Sequence, residues 1–358
     1  MTARDAVELV GRAPELERLG ALIDGARAGR GAALLVEGPP GVGKSALLEA
    51  MVGSAGLRVL AATGVETEID LPFAGLVELL HPVLDDVDRL PDPQRGALRA
   101  ALALDAPRGH DRAVVFHAVA ALLATAGPLL VAVDDLQWLD ASSRSVVWFV
   151  ARRAERLGVV VVAVRSIRGG PAEPWPGVAR LALGELGRAD AVRLARRHGV
   201  TAGVAQALVD ALGGNPLALV EAPAELTAAQ RAGAELLPAL LPSGRGLQEV
   251  YAARVAALPP RTRHALLLAA ASEDGEAGPL LAALGGDGAA FAPAEDAGLV
   301  SADPQRVRFA HPAIRSAVYH AAPPSARREA HRAGPEPRRR TGLARTSALP
   351  TSPRWRGL

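Results

Sequence analysis

Residues 32–37 read AALLVE, residues 38–45 read GPPGVGKS, and a helix-forming stretch begins near Lys44. A short apolar run, a glycine-rich turn and a helix in that order leave few folds open. The run is a strand buried on both faces, and the helix after it must fold back over the sheet. The turn between them fits G-x-x-x-x-G-K-[ST] at Gly38, Gly43, Lys44 and Ser45, with Pro39, Pro40, Gly41 and Val42 completing the loop. Glycines let backbone N–H groups turn inward and cup phosphate oxygens, and the helix N-terminus adds a favourable dipole. In this pattern the lysine reaches the β- and γ-phosphates and the serine hydroxyl ligates Mg²⁺.

The chain holds 40 Lys plus Arg, and Lys44 is its only lysine. Arginine's planar fork is bulkier than an ammonium and fits a tight loop less easily. A chain otherwise committed to arginine keeps the compact cation where the loop requires it. An ordinary strand–helix turn with an incidental lysine would leave that placement without a reason.

Further apolar runs lie at 58–63 (RVLAAT), 129–133 (LLVAV), 159–164 (VVVVAV) and, more weakly, 178–183, with helical stretches between them. This alternation predicts a parallel sheet covered on both faces. The run at 129–133 ends in Asp134 and Asp135. An apolar strand closed by acids is the Walker B pattern: the first holds the Mg²⁺ shell and the second polarises the attacking water. Strands often end in Asp, so the phosphate loop upstream gives the pair its meaning. Arg165 closes the run at 159–164, on the edge where open α/β sheets bind ligands. There it reads a γ-phosphate, or is a surface arginine at a strand end. Arg152 and Arg153 are either trans-acting fingers or part of a solvated helix face.

From Gly184 the pattern is helical, broken at Gly213–Pro216, with a Pro-rich connection around 222–243. Two further helices follow, then a hairpin around Ala302-Asp303-Pro304-Gln305 and a helix over 312–321, which together suggest a small winged-helix unit. The expected units are 8–183 (NTPase), 184–243 (helical lid), 244–333 (winged-helix-like) and 334–358 (disordered basic tail).

A hydrophobic fraction of 49% with 22% charged residues is that of a globular chain. With no cysteine, disulfides, thiolate nucleophiles and Cys-based zinc sites are excluded, and a reducing cytoplasm is expected. The apolar stretch 113–133 contains His117 and Gly127-Pro128, which predicts a buried helix, a turn and a strand rather than a membrane span. The pI of 9.6 belongs to the tail. Residues 334–358 carry six arginines and one acid, leaving 34 basic and 37 acidic residues in 1–333, a net charge of −3. Charge therefore argues against specific DNA binding by this chain.

The stretches LVGRAPELERL, GPPGVGKS, LPFAGLVELLHP, VDDLQWLD, GGNPLAL, YAARVAALPP and RFAHPAIRSAVY occur in that order. Over roughly residues 8–333 the chain resembles the large ATP-binding regulators of the LuxR family, bacterial transcription regulators with a STAND-type AAA+ ATPase module. The resemblance implies an α/β P-loop NTPase with a five-stranded parallel sheet ordered 5-1-4-3-2, a helical lid and a winged helix closing over nucleotide. It implies that Val10, Gly11 and Arg12 line the adenine, that Pro216 packs on the adenine or ribose, and that His311 contacts phosphate in an ADP-bound closed state. His81 is read as structural. Such regulators usually continue into helical repeats and a helix-turn-helix, so this chain is expected to be a truncated or out-of-frame form.

The resulting expectation is a cytoplasmic switch that binds ATP or ADP with Mg²⁺, hydrolyses slowly and answers to an inducer or protein partner, with nucleotide-dependent self-association. The rivals are an AAA+ initiator-like DNA-binding ATPase, a small-molecule P-loop kinase, and a nucleotide-binding remnant without turnover.

Overall fold

The structure, a computed structural model, describes residues 9–104, 112–167, 175–238, 245–272 and 275–333. The tail expected at 334–358 lies outside the described residues, as does part of the connection around 222–243. Strands β1 (Ala32–Gly38), β2 (Arg58–Thr63), β3 (Leu129–Asp134), β4 (Val160–Ser166) and β5 (Ala179–Ala182) form one sheet in the order β2-β3-β4-β1-β5. Every neighbouring pair is parallel. Read from the β5 edge, this is the expected order 5-1-4-3-2.

Successive strand residues point to opposite faces, so an apolar run can serve two helical layers. Leu34, Val36, Leu130, Ala132, Val160 and Val162 bury with residues of the helices Ala13–Arg27 and Lys44–Ser54. Leu35, Val131, Val133, Val161 and Ala163 bury on the other face with the helices Ala74–Leu80, Asp92–Ala101, Arg112–Thr125 and Ala141–Ala151. Each fully buried Leu or Val contributes roughly 1.5–3 kcal/mol. The stretch 113–133 is indeed helix, turn and strand, and no helix among the described residues is long and apolar enough to cross a membrane.

The parallel arrangement has one consequence for chemistry. Gly38, Asp134 and Arg165, at or near the carboxyl ends of β1, β3 and β4, share one sheet edge.

Beyond β5 come the helices Arg188–Arg197, Ala202–Leu212 and Pro216–Glu221, then Arg245–Ala256 and Pro260–Ala271. The antiparallel hairpin of β6 (Val300–Ala302) and β7 (Val307–Phe309) follows, and then the helix Pro312–Ala321. Ala195, Leu208, Leu219, Tyr251, Leu268, Val307 and Ile314, drawn from all these parts, belong to a single apolar cluster. The stretches 184–243 and 244–333 thus share one continuous core.

Candidate nucleotide site

Each carbonyl of the loop from Gly38 to Gly43 accepts a hydrogen bond. The Gly38 oxygen accepts from Ile167 N–H (3.0 Å) and the Pro39 oxygen from Lys44 Nζ (2.8 Å). The Pro40 oxygen accepts from Asn215 Nδ2 (2.9 Å), and the Gly41 oxygen from Leu217 N–H (3.1 Å). Arg12 Nη2 donates to the Val42 oxygen (2.9 Å), and Leu47 N–H to the Gly43 oxygen (3.0 Å). A trans peptide carries its N–H opposite its C=O. Holding these carbonyls therefore turns the N–H groups of Gly41, Val42, Gly43 and Lys44 away from those partners, the donor array an anion-binding nest uses. Gly41 (φ 79°) and Gly43 (φ 93°) are left-handed, a conformation glycine adopts at no steric cost. Lys44 is buried, and Ser45, one residue further along, is exposed.

Arg12 is itself buried, and its Nη2 also donates to the Gly184 carbonyl at 2.6 Å, so the guanidinium ties the loop to the chain leaving β5. Val10 is buried, and Gly11 (φ 70°) lies so close to the helix Arg188–Arg197 that an added Cβ would stand 2.6 Å from Asp190 Oδ2. Val10, Gly11 and Asp190 line one end of a groove of about 940 Å³.

At the end of β3, Asp134 Oδ1 accepts from Asp135 N–H at 2.8 Å. Asp135 adopts φ 45°, an uncommon conformation for a non-glycine residue and one that concentrates at functional sites. Gln137 holds it there: Nε2 donates to Asp135 Oδ1 (2.6 Å), while Oε1 accepts from Ser166 N–H (2.9 Å). Gln137 thus links the second acid to the strand that carries Arg165. Arg165 is not a surface residue. Only 7% exposed, it pairs through Nε (3.1 Å) and Nη2 with Oε1 of Glu37, its register partner on β1 and the residue before the phosphate loop. Arg180 Nη1 approaches the other Glu37 oxygen at 3.7 Å.

Pro216 opens the helix Pro216–Glu221, and Asn215 caps it by accepting from Leu217 N–H (3.1 Å) and Ala218 N–H (3.4 Å). A proline at the first helical position lacks only an N–H that would have had no partner there. His311 caps the helix Pro312–Ala321: Nδ1 accepts from Ala313 N–H at 3.0 Å. Its Nε2 lies 2.8 Å from Glu185 Oε1, and its ring stacks on Tyr251. The His311 contact holds the Glu185 carboxyl below its ordinary range; burial opposes this, and the Gly214 N–H supports it. Burial raises the Tyr251 phenol.

Arg152 and Arg153 sit just before β4, at the opposite edge of the sheet, over the rings of Trp148 and Phe149. His81 is exposed at the start of a 3-10 turn.

Sequence reasoning missed Glu37, Gln137, Asn215 and Glu185. It also missed Asp140, which caps the helix Ala141–Ala151 and accepts from Phe73 N–H (2.9 Å) and Gly75 N–H (3.2 Å). Asn215 and Asp140 carried readable signals, an asparagine directly before a helix-opening proline and an aspartate at a helix N-cap. Glu37, Glu185 and the Gln137–Ser166 contact depend on segments far apart in sequence.

Residues 8–162 match the family model of the AAA ATPase domain. An uncharacterised protein of Rhizobium meliloti (strain 1021) is 30% identical over 229 residues, 52% of this chain and 21% of that protein. The chain thus spans about a fifth of the length of the curated relative it matches. A Walker-type ATPase of Pyrococcus abyssi superposes with a TM-score of 0.52 at 16% identity, over 87% of this chain and 96% of that one. A signal transduction ATPase with numerous domains (STAND) and a tetratricopeptide-repeat sensor, from Pyrococcus horikoshii, gives a TM-score of 0.41 at 16% identity, over 90% of this chain and 44% of that one. Sheet order, phosphate loop and the likeness to a Walker-type ATPase agree on a P-loop NTPase fold, within which residues 8–162 match the AAA ATPase domain.

Proposed function

We propose that the chain is an ATP-binding, slowly hydrolysing switch, the ATPase module of a bacterial transcriptional regulator resembling the LuxR-family ATP-binding regulators. The observation that carries the nucleotide reading is the loop at 38–43, whose carbonyls are all engaged, so that each held peptide turns its N–H away from its carbonyl's partner. The regulator reading rests on the order of the sequence stretches from LVGRAPELERL to RFAHPAIRSAVY.

In this reading the loop amides and Lys44 bind the β- and γ-phosphates, while Ser45 and Asp134 hold Mg²⁺. Bound Mg²⁺ would supply charge neutralisation across the phosphates. Asp135, aimed by Gln137, orients and deprotonates the attacking water. Arg165, held at the loop by Glu37, reads the γ-phosphate. Val10 and Gly11 line the adenine, Arg12 braces the loop beside it, and Pro216 packs on the base or ribose. His311 belongs to the part that moves when ADP replaces ATP. A nucleotide drives such a change only through different affinity for the two conformations.

Titration calorimetry with ATP·Mg²⁺ and ADP·Mg²⁺, beside a phosphate-release assay, tests the proposal. Micromolar or tighter binding of both with slow phosphate release supports it. Binding without release leaves the remnant rival, and no binding removes the assignment. Self-association, an inducer and a protein partner belong to the same proposal; sedimentation with ATP and with ADP tests the first.

A further inference from the structure

Polar contacts run without a gap from the phosphate loop to the helix that follows the hairpin. Asn215 Nδ2 donates to the Pro40 carbonyl at 2.9 Å. The preceding residue, Gly214, donates its N–H to Glu185 Oε2 at 3.0 Å. Glu185 Oε1 lies 2.8 Å from His311 Nε2, and His311 caps the helix Pro312–Ala321. Asn215 is fully buried and His311 is 8% exposed, whereas the Glu185 side chain is 38% exposed.

This chain of contacts is not what holds the two parts together. The apolar cluster shared by 186–330 does that, and it would survive the loss of one polar contact. The contact is a single residue pair, closed off on its His311 side and open to water on its Glu185 side. It can open to water while the core stays closed. A contact at the meeting point of three segments is one that a ligand with different affinities for the open and closed forms can overturn.

We propose that Glu185 and His311 form a latch, and that Gly214 and Asn215 couple its closure to nucleotide occupancy of the phosphate loop. The proposal rests on the nucleotide reading of that loop. Coupling is reciprocal: if nucleotide shifts the latch, breaking the latch must shift nucleotide affinity by the same factor.

Two substitutions cut the pair while sparing its other duties. Glu185→Gln keeps an acceptor for Gly214 N–H but loses the carboxylate opposite His311. His311→Asn keeps a helix-capping side chain but is too short to reach Glu185. In the full chain, the affinities of ADP·Mg²⁺ and a non-hydrolysable ATP analogue are measured by calorimetry. Hydrogen exchange over 312–321 is followed with and without ADP. Each single variant should change the ratio of the two affinities by about fivefold or more and speed exchange over 312–321. The double variant should go no further than either single. Asn215→Ser, which keeps a cap and releases Pro40, should shift the ratio while leaving exchange over 312–321 slow, so one misfolded variant does not decide the matter.

Unchanged ratios in all three variants, or additive effects in the double variant, overturn the latch. A wild-type chain whose titration is as flat as that of Lys44→Ala overturns the nucleotide reading, and the coupling with it. That result differs from wild-type binding with unchanged ratios, which overturns the latch alone.

Discussion

Asn215 and Pro40 are 175 residues apart in sequence and joined by a 2.9 Å hydrogen bond from the amide Nδ2 to the carbonyl. One side chain caps a helix with its oxygen and holds the phosphate loop with its nitrogen. The Gly41 carbonyl, one residue on, accepts from Leu217 N–H of the same segment. The loop is therefore shaped partly by the chain that follows the sheet.

Lys44→Ala should weaken ATP and ADP binding about ten- to a hundredfold, since a charge-assisted hydrogen bond contributes roughly 1.5–3 kcal/mol. Calorimetry reads this directly. Affinity equal to wild type would remove the loop as the phosphate site.

Asp135→Asn should keep nucleotide affinity and lower phosphate release. Asparagine tolerates the left-handed backbone that Asp135 adopts, so the fold is spared while the base is lost. Gln137→Ala should lower release by a smaller factor, because the acid stays but its orientation relaxes. Turnover that is unaltered in Asp135→Asn places the base elsewhere.

Arg165→Met should destabilise the chain by about 3–5 kcal/mol, because it leaves the Glu37 carboxylate, 6% exposed, facing Arg180 at 3.7 Å without its close guanidinium partner. Replacing both residues with methionine should recover most of that loss. Urea unfolding of the two singles and the double closes the cycle. A mild Arg165→Met with strongly reduced discrimination between ATP and ADP would instead make Arg165 a pure phosphate reader.

Acid should loosen the contact between Glu185 and His311. Glu185 is held below its ordinary value of 4.5 in the folded chain. A carboxyl with a depressed folded pKa adds stability above its unfolded pKa and loses it as pH falls through the folded one. Below about pH 4.5, wild type should therefore lose more stability per pH unit than Glu185→Gln, with the two curves parallel above it. Parallel curves throughout would mean that the contact does not bias folding.

Much of this fold is legible before any coordinates. The run at 32–37, the loop at 38–45 and the acids at 134 and 135 each carry a local signature, because a buried strand, a left-handed glycine turn and a strand-ending acid are set by neighbouring residues. The five strands lie where their apolar runs lie; β1, β3 and β4 are buried on both faces, whereas the edge strands β2 and β5 keep exposed positions. The partners of Arg165, Asp135 and His311 have no such signature. Arg165 meets Glu37 because β4 pairs with β1 in that register, and Asp135 meets Gln137 because the turn after β3 folds against Ser166. His311 meets Glu185 because one apolar core gathers the helices after β5 and the hairpin. Composition marks 184–243 and 244–333 as separate stretches, but it carries no trace of that shared core. A hydrophobic face is written in local periodicity, whereas the choice of which faces meet depends on shapes and distances that arise only as the chain packs.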